Sequence, residues 1–473
     1  MRAWEDQGKA RIRKEFAAAT VRARRGAETR ARRLDERSPV DDGPMDFGSR
    51  KRRDGAAGGV PGPHQGVSIR SSAGALRPGS RGHEVVVGAC SVPRRVSAMP
   101  PRRSVLVLGS FGASVPSFRG PLIRAMVQGG HRVDVAAEFA TPDEVAAVEA
   151  LGARVHELVT ERHGMNPLRE MAYVRRLRGV IQSARPDVVL AYTAKPVAWG
   201  VPAARAAGVE RVVALVTGLG FAFTDGGGWR RVVAGGALAA LYRRALGRCS
   251  VVVFQNRDDR EELARLGVLP AGIRTEVVGG SGIDLDVFGR AAVPPSPAFL
   301  MIARLLGNKG VREYARASAM LARKHPSVPF RLAGWFDDGP DAVAGSEMEA
   351  WQTAGIEYVG RLEDVRPALA QCSCYVLPSY REGTPRTVLE AMATGRAIVT
   401  TEVPGCRQTV EVGANGFLVP TRDPFALAAA MERFVLEPGL AVRMGEASRR
   451  LAEERFDVRM VNRVMLSCLG LDE

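Results

Sequence analysis

The chain has 473 residues, of which 46% are hydrophobic and 25% are charged, and its formal net charge is +16. This length exceeds what one hydrophobic core usually serves, so at least two domains are expected. No segment reaches the ~18–20 consecutive apolar residues of a membrane-spanning helix. The six cysteines are scattered along the sequence, which predicts a reducing compartment and no structural disulfide.

The excess positive charge is concentrated at the N-terminus. Residues 1–98 contain 21 Lys and Arg against 11 Asp and Glu, and their apolar residues form no pattern that could build a core. One interpretation is a basic arm that binds nucleic acid or anionic lipid. We favour a disordered extension, or a start codon assigned too far upstream, because Met99 is followed at once by a clear strand pattern.

From Ser104 onward, short β-branched segments alternate with segments of helix length. Strands are predicted at 104–110, 132–137, 187–192, 211–218, 251–256, 298–305, 329–336, 356–360, 374–379, 397–402 and 416–420. Such alternation is typical of parallel sheets with right-handed crossovers, and the sequence between 279 and 296 reads as a linker. We therefore predict two doubly wound α/β domains that face each other across a cleft, at 104–285 and 296–455. A terminal helix at 456–473 is expected to cross back to the first domain.

Ligands bind such sheets at the carboxyl ends of the strands, so the loops there are the candidate sites. After the strand at 298–305, Arg304 and Lys309 precede a helix. Two cations beside a helix N-terminus suit a phosphate or diphosphate, although two solvated surface charges are an equal alternative.

The loop and helix at 379–395 hold two carboxylates, Glu382 and Glu390. Thr384 and Pro385 are predicted as the N-cap and first residue of the helix, and Gly383 permits close approach of a ligand to the backbone. Glu390 lies among apolar residues about a turn and a half into the helix. It could accept hydrogen bonds from ribose hydroxyls, or it could be a paired surface residue.

The first domain offers weaker signals. Gly109 and Gly112 form G-x-x-G rather than G-x-G-x-x-G, which weakens a dinucleotide interpretation. Lys195 and Thr217 follow two further strands and would line the same cleft, where Lys195 could bind an anionic acceptor or could simply be exposed.

No metal site is predicted. Asp284 and Asp286 form D-x-D, a pattern that can hold a divalent metal with a sugar nucleotide, but they fall in the linker and not after a cleft strand. The histidines come from different elements, and no Ser/His/Asp or Cys/His set has an interpretable spacing.

Together, Arg304-x4-Lys309 and Glu382-x7-Glu390 resemble the motifs of the family-4 retaining glycosyltransferases of the GT-B fold. The segments at 280–288, 376–410 and 415–419 are similar to this family as well, and the resemblance covers about 104–456. The sequences at 193–200, 216–224 and 380–410 are similar to those of bacterial enzymes that add an N-acetylhexosamine, typically N-acetylgalactosamine, to a sugar on undecaprenyl diphosphate.

The resemblance implies roles for individual residues. Arg304 and Lys309 would neutralise the leaving diphosphate, Glu390 would hold the ribose, and Glu382 would bind hydroxyls of the donor sugar. The backbone from Gly383 to Pro385 would hold phosphate and sugar. Many family members have a histidine after the fourth strand, where this sequence has Thr-Ala-Lys at 193–195, so a catalytic histidine is not assumed.

The resemblance also implies a nucleotide-sugar donor, with UDP as the favoured nucleotide, a lipid-linked glycan acceptor and no required metal or other cofactor. On the acceptor side we place Gly112, Arg119, Lys195 and Thr217. An acceptor on a lipid calls for peripheral contact with the cytoplasmic membrane, and Arg119, Lys195 and the helix at 228–248 offer cations beside an apolar face. An ordinary helix packed on the sheet is an equal alternative.

Two other functions share parts of this pattern. A nucleotide-sugar epimerase has the same fold and needs no acceptor. A nucleic-acid-binding protein would use the basic N-terminal arm, although no specific nucleic acid is expected. The sequence thus predicts a glycosyltransferase acting at the cytoplasmic face of the membrane on surface glycans, with the donor sugar undetermined.

Overall fold

The computed structural model describes residues 102–159, 167–219, 229–339 and 341–472. The basic extension at 1–98 and His163 lie outside these ranges. Within them, two parallel sheets form two α/β domains, as the alternation predicts.

The first domain contains a seven-stranded sheet with the order β3-β2-β1-β4-β5-β6-β7. Its strands are β1 Ser104–Phe111, β2 Arg132–Glu138, β3 Arg154–Glu157, β4 Val188–Tyr192, β5 Arg211–Val216, β6 Val251–Phe254 and β7 Thr275–Val277. Its helices are α1 Ser114–Gln128, α2 Pro142–Glu149, α3 Pro167–Ala184, α4 Val201–Ala206, α5 Trp229–Leu246 and α6 Arg257–Arg265, with a π-helical turn at Pro196–Gly200.

The second domain contains a six-stranded sheet with the order β10-β9-β8-β11-β12-β13. Its strands are β8 Phe299–Ile302, β9 Phe330–Ala333, β10 Ile356–Gly360, β11 Cys374–Leu377, β12 Ala397–Thr401 and β13 Gly416–Val419. Its helices are α7 Val311–Lys324, α8 Gly345–Thr353, α9 Arg366–Ala370, α10 Arg386–Thr394, α11 Pro424–Leu436 and α12 Leu440–Arg455, with 3₁₀ turns at Gly307–Lys309 and Arg407–Thr409.

The central strands are buried because helices cover both faces of each sheet. Every residue of β11 and β12 is buried, and so is every residue of β1 except its last. Continuous apolar segments such as these are what a doubly covered parallel sheet requires. They form one core in the second domain and two in the first, one on each face of its sheet.

The sequence analysis did not predict two edge strands, β3 and β7. β3 has the sequence Arg-Val-His-Glu and β7 the sequence Thr-Glu-Val, and neither contains a fully buried residue. An edge strand has a neighbour on one side only and carries polar side chains without cost, so its apolar signal is weak.

The chain ends in a helix, α13 Val458–Leu469, that belongs spatially to the first domain. Its apolar residues Val461, Met465 and Leu469 are part of a first-domain core. The side chain of Arg211 at the start of β5 donates to the carbonyl of Cys468 over 3.0 Å. The chain therefore returns to the first domain after completing the second.

In each sheet, the strand order reverses between two neighbouring strands, β1 and β4 in the first and β8 and β11 in the second. The loops after these strands diverge and leave a crevice at the carboxyl edge, where ligands bind in such folds. Among the described helices, none is long and apolar enough to cross a bilayer.

Candidate active site

The two loops that flank the reversal in the second sheet meet through an ion pair. Lys309 ends the 3₁₀ turn after β8, and its Nζ lies 2.6 Å from Oε1 of Glu382 in the loop after β11. The same oxygen accepts a hydrogen bond from Ser379 Oγ over 2.8 Å. Both charged side chains are largely buried, so the pair is held by the packing of the loops.

Arg304 follows the same strand as Lys309 but points to a different carboxylate. Its guanidinium lies 3.3 Å from Asp337, which follows β9, and its side chain is about half exposed. The two cations therefore flank the β8 loop, with Lys309 towards Glu382 and Arg304 towards the outer strands. An anion in this crevice could contact the accessible guanidinium of Arg304.

The loop after β11 differs in one detail from the sequence prediction. The helix α10 begins at Arg386, and Pro385 occupies the N-cap position with extended backbone. The hydroxyl of Thr384 does not cap the helix but donates to the carbonyl of Gln255 over 2.9 Å. The predicted N-cap was therefore wrong, because a contact with the first domain competes for the hydroxyl.

Glu390 is buried, with 7% of its surface exposed, on the face of α10 that packs into the domain. Its Oε1 lies 2.9 Å from Nε of Arg386, one turn earlier on the helix. Burial raises the pKa of this carboxyl, and the neighbouring guanidinium opposes the shift. Arg386 also donates to the carbonyl of Ser117 on α1 and lies 5.4 Å from the ring centre of Phe118. Glu390 is thus both buried and paired, and its partner contacts the first domain.

Gly383 is where the backbones of the two domains pass each other. A Cβ at this position would collide with the carbonyl of Thr217, at the end of β5, and with the side chain of Gln255. The glycine is therefore required here by the first domain. Thr217, one of the four residues predicted on the acceptor side, thus lies directly against the donor loop.

Two residues that the sequence prediction omitted, Asn256 and Asp259, also contact this loop. Asn256 Nδ2 donates to the carbonyl of Gly383 over 2.7 Å, and Arg381 pairs with Asp259 at 2.5 Å. Asn256 and Asp259 form an N-cap pattern directly after β6, a signal that the sequence contains. What they touch cannot be inferred from that pattern.

The remaining acceptor-side residues lie around the reversal of the first sheet. The backbone N–H of Gly112 donates to the carbonyl of Glu138, and a Cβ on Gly112 would collide with Phe139. Lys195 forms an ion pair with Glu170 at 2.8 Å. Lys195 is therefore engaged within its own domain in this structure.

Arg119 is buried, which contradicts the expectation that it is a cation facing a membrane. Its guanidinium lies 4.9 Å from the ring centre of Tyr192 and donates to Ser281 Oγ over 3.1 Å. Burial lowers the pKa of Arg119 to about 10. Its place between α1 and the interdomain linker makes it an internal residue of the cleft wall.

Thr193 follows β4 and begins the Thr-Ala-Lys segment in which the sequence analysis assumed no catalytic histidine. Its φ is 67°, a left-handed conformation that is uncommon for a β-branched residue. Its hydroxyl lies 2.6 Å from that of Ser110, near the end of β1. The loop after β4 is thus joined to the end of β1 by a pair of hydroxyls.

The D-x-D pattern is engaged in local structure. Asp284 accepts hydrogen bonds from the backbone N–H groups of Asp286 and Val287, two and three residues further along the chain. Asp286 pairs with Arg459 at 2.8 Å. In the part of the chain that the structure describes, no three His, Cys, Asp or Glu side chains are grouped so that they could hold a metal ion.

The helix predicted near 228–248 corresponds to α5, whose C-terminal half packs on the first sheet. Tyr242, Ala245 and Leu246 are buried in the core, whereas Arg243 and Arg244 are exposed. This half behaves as an ordinary sheet-covering helix.

Two doubly wound domains, with charged motif residues gathered at the reversal of the second sheet, define a glycosyltransferase of the GT-B fold. Solved structures agree on the fold. A sucrose-phosphate synthase from Thermosynechococcus elongatus has a TM-score of 0.65 at 18% identity and covers 77% of this chain and 98% of its own. Anabaena HepE, solved with UDP and glucose, has a TM-score of 0.62 at 19% identity and covers 78% of this chain and all of its own.

Sequence comparison identifies the family. Residues 296–437 match the family "Glycosyl transferases group 1", and residues 115–280 match the "Glycosyl transferase 4-like domain". The two matches together span well over half of the chain, which belongs to this glycosyltransferase family and is a hexosyltransferase enzyme.

Curated relatives are similar over most of their length. The N,N′-diacetylbacillosaminyl-diphospho-undecaprenol α-1,3-N-acetylgalactosaminyltransferase of Campylobacter jejuni is 28% identical over 331 residues, 67% of this chain and 85% of that protein. The putative glycosyltransferase EpsD of Bacillus subtilis is 25% identical over 316 residues, 62% of this chain and 78% of that protein.

Proposed function

We propose that this protein transfers a hexose or N-acetylhexosamine from a UDP-sugar to a glycan linked to a polyprenyl diphosphate, in the synthesis of a surface polysaccharide. The observation that carries the proposal is the meeting of Lys309 and Glu382 at the reversal of the second sheet, with Arg304 in the same loop as Lys309. The acceptor class is supported by the similarity to the Campylobacter jejuni transferase, whose name specifies an undecaprenyl-diphosphate-linked acceptor.

The donor would lie along the second-domain crevice. The diphosphate would bind between Lys309, Arg304 and the start of α10, where backbone N–H groups and two cations favour an anion. The donor sugar would then lie towards Glu382. The ribose would lie towards Glu390, which has to share its carboxylate between the ribose hydroxyls and Arg386.

The transfer would retain the configuration of the donor sugar. The acceptor hydroxyl attacks the anomeric carbon on the face that the diphosphate leaves, and a departing phosphate oxygen takes the hydroxyl proton. Arg304 and Lys309 stabilise the charge that develops on that oxygen, which is the dominant contribution expected of preorganised cations. We expect no metal ion to be needed, so that chelation with EDTA leaves the rate unchanged.

We propose that the enzyme contacts the cytoplasmic membrane surface peripherally through α3. The exposed side of this helix carries Arg175, Arg176 and Arg178 together with the exposed Met171. Cations beside an apolar side chain suit a surface of anionic phospholipid. Replacing the three arginines with glutamine should abolish sedimentation with anionic vesicles. The same change at three exposed arginines of the second domain, Arg433, Arg443 and Arg450, should have little effect.

The function is tested by a donor screen with a short-chain polyprenyl-diphosphate sugar as acceptor. We expect one UDP-sugar to yield an extended lipid-linked product, detected by mass spectrometry, with the anomeric configuration retained. An inverted product would overturn the mechanism. A new epimer formed from the nucleotide sugar without any acceptor would instead establish the epimerase alternative.

A further inference from the structure

The turn between β6 and α6 of the first domain is docked on the donor loop of the second. Two hydrogen-bonded contacts join them, one to Arg381 and one to the carbonyl of Gly383. These two residues are the immediate neighbours of Glu382 in the sequence. The side chain of Glu382 is therefore oriented by Lys309 of its own domain, while its backbone is held on both sides by the first domain.

The contact with Arg381 is made by a carboxylate that water does not reach. Asp259 is 0% exposed, and its two oxygens accept from Arg381 and from Asn256 Nδ2, over 2.5 and 2.9 Å. A buried carboxylate is costly unless it is paired and hydrogen-bonded. The cation that compensates it comes from the other domain, so the arrangement is complete only while the domains are together.

The contact with Gly383 is made by an amide whose orientation is fixed. Asn256 is also 0% exposed, and its Oδ1 accepts from the backbone N–H of Asp259 over 2.7 Å as the cap of α6. This bond leaves Nδ2 facing the carbonyl of Gly383 at 2.7 Å. Neighbouring bonds from Thr384 and Gln408 to the carbonyl of Gln255 lie beside it.

We propose that Asn256 and Asp259 are positioning residues for transfer: they form a clamp, the Asn256–Asp259 clamp, that sets Glu382 against the donor sugar when the domains close. Neither side chain needs to touch substrate. The proposal rests on the proposed function for the role of Glu382. It adds that the first domain controls the geometry of the donor loop and does more than supply the acceptor.

The variant that tests the clamp is Asp259→Asn, which removes the charge while keeping the shape. A loop misplaced by about 1 Å can lower the rate by about 10²-fold, so we expect kcat to fall about 10- to 100-fold with a much smaller change in donor KM. The matched control is Asp364→Asn, which makes the same change in an exposed pair with Arg366 at 2.8 Å and should leave kcat unchanged. Normal kcat in Asp259→Asn would overturn the proposal.

A double-mutant cycle separates positioning from general damage. Arg381→Gln alone leaves Asp259 without its cation, whereas the double variant Asp259→Asn/Arg381→Gln places two neutral amides together. We expect the losses in log kcat to be far from additive, with the double variant no slower than the worse single variant. Additive losses would mean that the two residues act separately and would refute the clamp.

A measurement that needs no activity keeps the two proposals distinguishable. Hydrogen–deuterium exchange of the peptide covering 379–389 should be faster in Asp259→Asn than in the wild type, and unchanged in Asp364→Asn. If the wild type transfers no sugar in the donor screen, the proposed function fails and exchange still decides the clamp. If exchange is unchanged, the clamp fails whatever the enzyme transfers.

Discussion

The role proposed for Glu390 predicts a specific pattern of nucleotide binding. A hydrogen bond to a charged group contributes about 1.5–3 kcal/mol, so a carboxylate that accepts from the ribose hydroxyls should contribute about 10- to 150-fold in affinity. The existing pair with Arg386 at 2.9 Å competes with the ribose, which favours the lower part of this range. Glu390→Ala should therefore weaken UDP binding by at least about 10-fold.

The fold should tolerate this substitution. The guanidinium of Arg386 keeps its bond to the carbonyl of Ser117, and its side chain is 20% exposed, so water can solvate the unpaired charge. Replacing Arg386 would destabilise the fold more, because Glu390 would be left buried without a partner. A change in binding can thus be measured on a folded protein, with thermal unfolding as the check.

The assay is titration calorimetry with UDP and with 2′,3′-dideoxy-UDP. The wild type should prefer UDP by the factor given above, and Glu390→Ala should bind the two ligands equally. Glu313 is the matched control, since it is also 7% exposed and accepts one bond, over 2.9 Å from the hydroxyl of Tyr380. Glu313→Ala should keep the preference for UDP. If Glu390→Ala keeps it too, Glu390 does not bind the ribose.

Three further predictions concern the same crevice. Lys309→Ala and Arg304→Ala should both lower kcat with smaller changes in donor KM, and the loss should reach about 10²–10³-fold for the cation that lies nearer the leaving diphosphate. Wild-type kinetics in both variants would contradict the assignment. Gly383→Ala should lower kcat strongly while the midpoint of thermal unfolding changes little, because the new methyl group collides with the carbonyl of Thr217 at the contact between the domains and not inside either core. Full activity would show that this contact leaves more room. As the pH is lowered, UDP affinity should begin to fall at a pH above the ordinary Glu pKa of 4.5, because burial raises the pKa of Glu390 and only its charged form accepts two hydroxyls. Glu390→Gln should remove this pH dependence. A dependence that persists in this variant would point to another group.

Local apolar patterns predicted the central strands and placed Glu390 in an apolar helical segment, although they left open whether it is a surface residue. Segments such as Cys374–Leu377 can be stable only between two helical layers, so their composition indicates their place. The pair between Glu390 and Arg386 was also accessible in principle, since residues four apart on a helix face each other. The edge strands at 154–157 and 275–277 were missed because they are only partly buried, so their sequences need not be continuously apolar.

Other features depend on residues far apart in the chain. The N-cap predicted at Thr384 failed because its hydroxyl finds the carbonyl of Gln255 in the other domain. Arg119 looks like a surface cation in the sequence, yet the linker around Ser281 and the ring of Tyr192 enclose it. No local pattern carries information about such partners.

Sequence patterns alone predicted two doubly wound domains, the glycosyltransferase motifs and a second-domain crevice as the place of Arg304, Lys309, Glu382 and Glu390. These follow from periodicity and from loops that must emerge at one edge of a parallel sheet. The contact of Asn256 and Asp259 with the donor loop becomes visible only in the folded chain. A hydrogen bond between domains depends on the closeness of two surfaces, and that closeness is a property of the packed chain as a whole.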